Sequence, residues 1–213
     1  MKINAPRFAA AVAATLSLST IALADPAPAV HVRGTISAVH GDSLTIATAK
    51  GPVVVRIDSK THVAGVLPAT VDDISAGTFI GTANVPGPGA ARALEVVVFP
   101  KAMAGTGEGD YPWDLPAGGN RMSAMTNGTV LKPKHSSMTN ATVTKVANGP
   151  VKTVSLSYKG GTKMVAIPPG APIVRVVPAD KGLLVVGAHV VAFPPTSAAP
   201  FVIVGERGTI PPM

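Results

Sequence analysis

The chain states nearly the same pattern twice, and that duplication limits its fold more than any other feature. Residues 30–100 and 138–206 each carry short Val/Ile/Thr-rich runs separated by glycine and asparagine turns. In the first copy, Val30 to Val39 alternates, with Val32, Ile36 and Ala38 on one face. His40-Gly41-Asp42 then turns into Ser43 to Thr48, and Ala49-Lys50-Gly51 turns into Val53 to Ile57. Period-two alternation bounded by such turns predicts hairpin-linked strands. The second copy repeats the order with Thr139 to Val146, a turn at Asn148-Gly149, Val151 to Tyr158, Gly160-Gly161 and Thr162 to Ile167. A dissimilar stretch follows in each, 58–77 and 168–187, with Thr70 capping a helical turn in the first. Two closing strands end each copy, Thr78 to Val85 with Ala91 to Phe99, and Ala188 to Phe193 with Phe201 to Val204. Ile74, Gly77 and Ile80 align with Leu184, Gly187 and Val190 at one constant offset.

Three strands, a helical or irregular connection and two further strands is the order of a five-stranded Greek-key barrel of the OB-like kind. Closure removes the sheet edges that would otherwise pair with other chains. The sequence therefore predicts an all-β protein of two tandem small OB-like barrels. The first barrel covers residues 25–100, a Gly/Pro-rich connector covers 101–137, and the second barrel covers 138–213. With 22 glycines and 21 prolines spread between β-formers, the composition supplies turns and not disorder. There is no cysteine, so no disulfide supports either unit.

A leader precedes the repeat. Lys2 and Arg7 form a basic start, Phe8 to Ala22 is small and apolar, and Ala22-Leu23-Ala24 offers a small-x-small cleavage site. This is the pattern of a secretory signal over residues 1–24, too short in its apolar run for the roughly 20 residues that span a bilayer. No later stretch is long and apolar enough to span, so the expected address is periplasmic or secreted, without a membrane span.

Charge divides the copies. Residues 25–127 hold seven Lys/Arg against nine Asp/Glu, whereas 128–213 hold nine against two. Lys132, Lys134, Lys145, Lys152, Lys159 and Lys163 gather at the start of the basic half. Such an asymmetry fits an anionic partner, either an envelope polymer or lipid headgroups, or pairing between an acidic and a basic barrel. Nucleic acid is disfavoured, because single-strand binding on such barrels needs aromatic stacking positions and this half has only Tyr158, Phe193 and Phe201.

The connector concentrates the remaining chemistry. Trp113, beside Tyr111 and Pro112, reads as a packing anchor between the barrels. Met122, Met125, His135 and Met138 form a soft thioether and imidazole set suited to copper in an oxidising compartment. This supports an alternative reading as a metal carrier, while the first reading needs no cofactor. Glu108 and Asp110 fall in what reads as a loop, and the other histidines, His31 among them, read as surface or strand positions. No G-x-S-x-G, H-E-x-x-H or cysteine nucleophile is present, and the paired acids have no spacing that argues for acid–base work, so no catalytic residues are expected.

The segments Gly34-Thr35-Ile36-Ser37-Ala38-Val39, Ser43-Leu44-Thr45-Ile46 and Asp73-Ile74-Ser75-Ala76-Gly77 resemble a short exported bacterial β-barrel domain of unknown function. That domain runs in the order G-T-V-x-x-V, x-L-T-V, D-L-x-x-G. Trp113-Asp114, the run from Met125 to Val130 and the ending from Gly208 to Met213 are similar to proteobacterial exported proteins, some labelled metal ABC transporter permeases. The resemblance implies a tandem barrel fold and a periplasmic origin, and no active site. A permease activity would need membrane-spanning segments, which the sequence lacks.

Overall fold

The computed structural model describes residues 31–115, 136–193 and 201–212. Its fourteen strands are β1 (Val32–His40), β2 (Ser43–Thr48), β3 (Gly51–Arg56), β4 (His62–Pro68), β5 (Phe79–Val85), β6 (Ala91–Ala93), β7 (Val96–Val98), β8 (Gly109–Trp113), β9 (Ser136–Ala147), β10 (Lys152–Tyr158), β11 (Gly161–Ile167), β12 (Ile173–Pro178), β13 (His189–Phe193) and β14 (Phe201–Gly205). Single 3-10 turns at Val71–Asp73 and Lys181–Leu183 occupy equivalent places in the two copies. Thr70 and Asp180 cap them, each accepting a backbone N–H, and Thr70 forms a reciprocal capping box with Asp73.

The expected irregular stretches are in part strands. β4 and β12 lie where the sequence suggested a helical or irregular connection. Both are interior strands of the sheet, flanked on either side, and the middle of β4 is buried on consecutive residues, Ala64 to Val66. A strand buried on both faces shows an apolar run in place of alternation, which hides it from a period-two reading.

The closing strands pair across the copies. β5 of the first copy pairs antiparallel with β9 of the second, and β13 of the second pairs with β1 of the first, in matching register. Phe79 faces Thr142 as His189 faces Thr35, and Thr82 faces Thr139 as Ala192 faces Val32. β7 runs parallel to β12 as β14 runs parallel to β4. At the centre β4 and β12 pair antiparallel with Val66 opposite Val176, the same position in the two copies. A pseudo-twofold axis therefore passes through that pair. Gly77 and Gly187 mark the axis-related crossings. Each has positive φ (87° and 91°), and each donates its N–H to a meander strand, at Val143 and Ile36.

One ring closes. β5, β9, β10, β11 and β6 form a five-stranded barrel, joined at β6 and β11 by a short parallel pairing of two residues. Ile80, Ala141, Val143, Val154, Leu156, Val165 and Ile167 fill its apolar part. Apart from β8, which flanks β9, the remaining strands continue from it in the order β7, β12, β4, β14, β13, β1, β2, β3, with a second apolar core of Ile36, Leu44, Ile46, Val55, Val190 and Val204. A third cluster lies between them, built on β4, β5, β9, β12 and β14 around Trp113. Both meanders carry a register shift at their first hairpin, between Ile36 and Ala38 and between Ser155 and Leu156. Gly34 is obligatory beside the first, since a Cβ there would strike the Ala47 carbonyl oxygen.

Candidate functional site: the polar mouth of the closed barrel

β8 arises from a stretch expected to be loop. Among the described residues it pairs only with β9, Asp110 opposite Thr139, as an edge strand that tolerates Pro112. Because β5 holds the other edge of β9, β8 extends the edge that β10 uses further along. Asp110 therefore lies on a strand that extends the barrel alongside β9 and not in a flexible loop.

Side chains two apart on a strand share a face, so the interior positions can be followed upward from the core. From Ile80 they run to Thr82 and Asn84, from Ala141 to Thr139 and Ser137, and from Val165 to Lys163. The interior turns from apolar to polar at one end. The Asn84 amide donates to the Thr82 carbonyl and to Thr139 Oγ1, each at 2.9 Å, and Ser137 Oγ donates to Asn84 Oδ1 at 3.3 Å. Thr139 Oγ1 donates to Asp110 Oδ1 at 2.8 Å. Across the mouth, Lys163 Nζ donates to both Asp110 oxygens at 2.9 and 3.0 Å and to Ser137 Oγ at 3.0 Å. Thr82, Asn84 and Thr139 are fully buried, while the Lys163 and Asp110 side chains keep 21% and 27% exposure. A groove of about 700 Å³ reaches this mouth between the turn that joins β5 to β6 (Pro86, Gly87, Gly89, Ala90) and Ser137, Leu156 and Lys163.

The other copy supplies an internal comparison. The register pair Thr82/Thr139 is matched by Ala192/Val32, and Leu156/Lys163 by Ile46/Val53. The same backbone accepts apolar residues at these places. Burying polar groups costs free energy even when they are hydrogen-bonded to one another, so the polar set in one copy is not required by the fold.

A second polar cluster ties the start of β1 to the end of β8. Asp114 accepts Arg33 Nη1 at 2.9 Å and Nη2 at 2.7 Å, the His31 backbone N–H at 2.7 Å, and lies 2.9 Å from His31 Nδ1. His31, expected at a surface or strand position, is buried immediately before β1, and its ring centroid lies 4.3 Å from that of Trp113 and 4.5 Å from that of Phe193. Burial pushes the Asp114 carboxyl up, but the hydrogen bonds from Arg33 and His31 outweigh it and hold the carboxyl well below the usual carboxylate range. A depressed carboxylate stabilises the fold above its unfolded value of about 4, and that contribution disappears as pH falls below it. Asp114→Asn is expected to lower stability at pH 7 by about 3 kcal/mol and to flatten the loss of stability below about pH 4, read by urea titration at several pH values. An unchanged acid limb would show that Asp114 does not control it. Burial alone raises the neighbouring Tyr111 hydroxyl, which accepts from the Asn140 amide at 2.9 Å.

The other sequence candidates fall in several places. Met122, Met125, His135, Lys132 and Lys134 lie outside the described residues, as do residues 1–24. Met138 is buried in the cluster around Trp113, itself only 6% exposed. Among the described residues no three His, Cys, Asp or Glu side chains gather as metal ligands. Lys145 and Lys159 are exposed, Lys152 donates to the Val71 carbonyl and Asp72, and Lys163 is held by Asp110. Among the described residues no helix is long and apolar enough to cross a membrane. No protein-family model, curated protein or solved structure matches the chain. The functional reading therefore rests on this geometry.

Proposed function

We propose that the chain is an exported, non-catalytic binding module of two barrel-like units, and that the basic copy engages an anionic polymer of the cell envelope at the polar mouth. The observation that carries this reading is the contrast between matched interiors. Apolar residues (Val32, Ala192, Ile46 and Val53) stand at the matched places in one copy, while the other holds Thr82, Thr139, Asn84 and Lys163 beside an open groove. Lys145 and Lys159 add exposed positive charge on the same meander. The partner is a polymer because Lys163 sits in a recess. A flat headgroup layer would meet Lys145 and Lys159 first, whereas a chain can lay a charged substituent into the groove.

The test is binding of the mature chain, residues 25–213, to dextran sulfate at rising salt. Affinity is expected to fall steeply with ionic strength. The double variant Lys145→Ala/Lys159→Ala should weaken it roughly fivefold, the sum of two exposed contacts. Absence of binding at low salt would sink the proposal. Binding to anionic vesicles but not to dextran sulfate would replace the polymer with a lipid surface.

A further inference from the structure

We infer that Asp110 occupies an oxyanion cradle as a resident stand-in, and that the ligand's sulfate, phosphate or carboxylate group displaces it to reach Lys163. The inference deepens the reading above and rests on it for the choice of polymer.

The cradle is defined by what the Asp110 carboxylate accepts. Lys163 Nζ reaches both of its oxygens, and the Thr139 hydroxyl donates to Oδ1 at 2.8 Å. An ammonium and a hydroxyl converging on one carboxylate form a charge-assisted site that any planar or tetrahedral oxyanion of similar size satisfies equally well. Its rear wall is fixed. Asn84 donates to Thr139 Oγ1, leaving the hydroxyl proton to point at the anion, and Asn84 is itself held by the Thr82 carbonyl. Thr139, Asn84 and Thr82 are fully buried, so these donors are in place before any ligand arrives.

The occupant is less firmly held than the cradle. Asp110 comes from β8, which among the described residues is paired on one side only, and its carboxylate is partly exposed. Edge strands supported on one side open at lower free energy than interior ones. The groove borders Lys163 and Ser137, so an incoming anion approaches from solvent while Asp110 is held from β8. Exchange of one carboxylate for another oxyanion keeps the Lys163 charge compensated throughout, which avoids leaving it partly buried and alone. The matched site in the other copy has Val53 and Val32 at these places and cannot form a cradle.

Full mature chain carrying Asp110→Asn is the direct test, with inorganic phosphate and dextran sulfate as probes, read by calorimetry at low salt. Removing the resident charge should tighten both about tenfold relative to wild type. Lys163→Met should weaken both by a similar factor. Lys163→Arg, which keeps the charge if the methionine variant fails to fold, should retain binding. Unchanged or weaker binding by a folded Asp110→Asn chain overturns the cradle. If that happens while the Lys145/Lys159 variant still loses affinity for dextran sulfate, the polymer reading survives without it. If Asp110→Asn binds phosphate while neither chain binds the polymer, the cradle stands and the polymer reading falls.

Discussion

Replacing Val66 with aspartate is expected to unfold the whole chain in one transition and not to loosen one half of it. Val66 is completely buried and faces Val176 on the pseudo-twofold axis, where β4 meets β12. The substitution removes an apolar side chain and sets a carboxylate among Ala64, Val174, Val176 and Ile203. The combined cost is about 4–5 kcal/mol or more, against a total stability of about 5–15 kcal/mol for a domain. The closing strands cross between the copies, so neither meander keeps its neighbours once the axis opens. Coincident loss of near- and far-ultraviolet circular dichroism in urea would agree with this, and two separated transitions would contradict it. Val54→Asp, at a position 68% exposed on β3, should shift the midpoint by less than about 0.5 kcal/mol and serves as the control.

Trp113→Ala should be nearly as damaging, at about 3–5 kcal/mol. The indole packs in the cluster that takes Val66 and Val85 from the first copy and Met138, Val176 and Ile203 from the second. It also stacks on His31, whose backbone and ring hold Asp114. The indole N–H is buried and has no hydrogen-bond acceptor among the described residues, so packing and not hydrogen bonding accounts for the loss. Trp113→Phe is therefore expected to cost far less, about 1–2 kcal/mol, because it keeps most of the apolar volume. Equal destabilisation by Ala and Phe would point to a role for the N–H. Chemical unfolding of both variants separates the two.

The strand order was largely legible in the sequence because alternation and turn chemistry are local. Ser43 to Thr48 pairs with Ile36 and its neighbours as its apolar positions require, and the Thr70 cap lies where a threonine before two aspartates predicted it. Partner choice was not legible. Two copies with the same pattern offer the same faces, so β5 fits β9 as well as it fits β1, and only three-dimensional closure selects between them. β4 escapes a period-two reading because burial of consecutive residues erases alternation. β12 alternates from buried Val174 through exposed Arg175 to buried Val176, but sits among prolines and a glycine that read as an irregular connection. β8 carries no strand signal because glycine and proline surround it, and an edge strand needs neither residue excluded.

The candidate site was harder to read. Lys163 stands out in the sequence by its charge, but its partner Asp110 lies far from it, in a glycine-rich stretch that reads as a loop. Thr82, Asn84 and Thr139 carry no motif, and their signal was available only by contrast. At matched positions of the repeat they replace Ala192 and Val32 or continue the same polar face. Reading one copy against the other, position by position, would have marked Thr82 and Thr139 from the sequence alone. Arg33 and Asp114 gave no such signal, since their pairing depends on how β8 returns to the start of β1.

The central claim is that the polar mouth, and not its apolar counterpart, takes the ligand. Backbone amide shifts of isotope-labelled mature chain during titration with a short anionic oligosaccharide test it most directly. The largest changes are expected on Gly87, Gly89, Ser137, Thr139 and Lys163, with β1 to β3 unmoved. Changes centred on Gly51 to Arg56, or spread evenly over all exposed lysines, would contradict it.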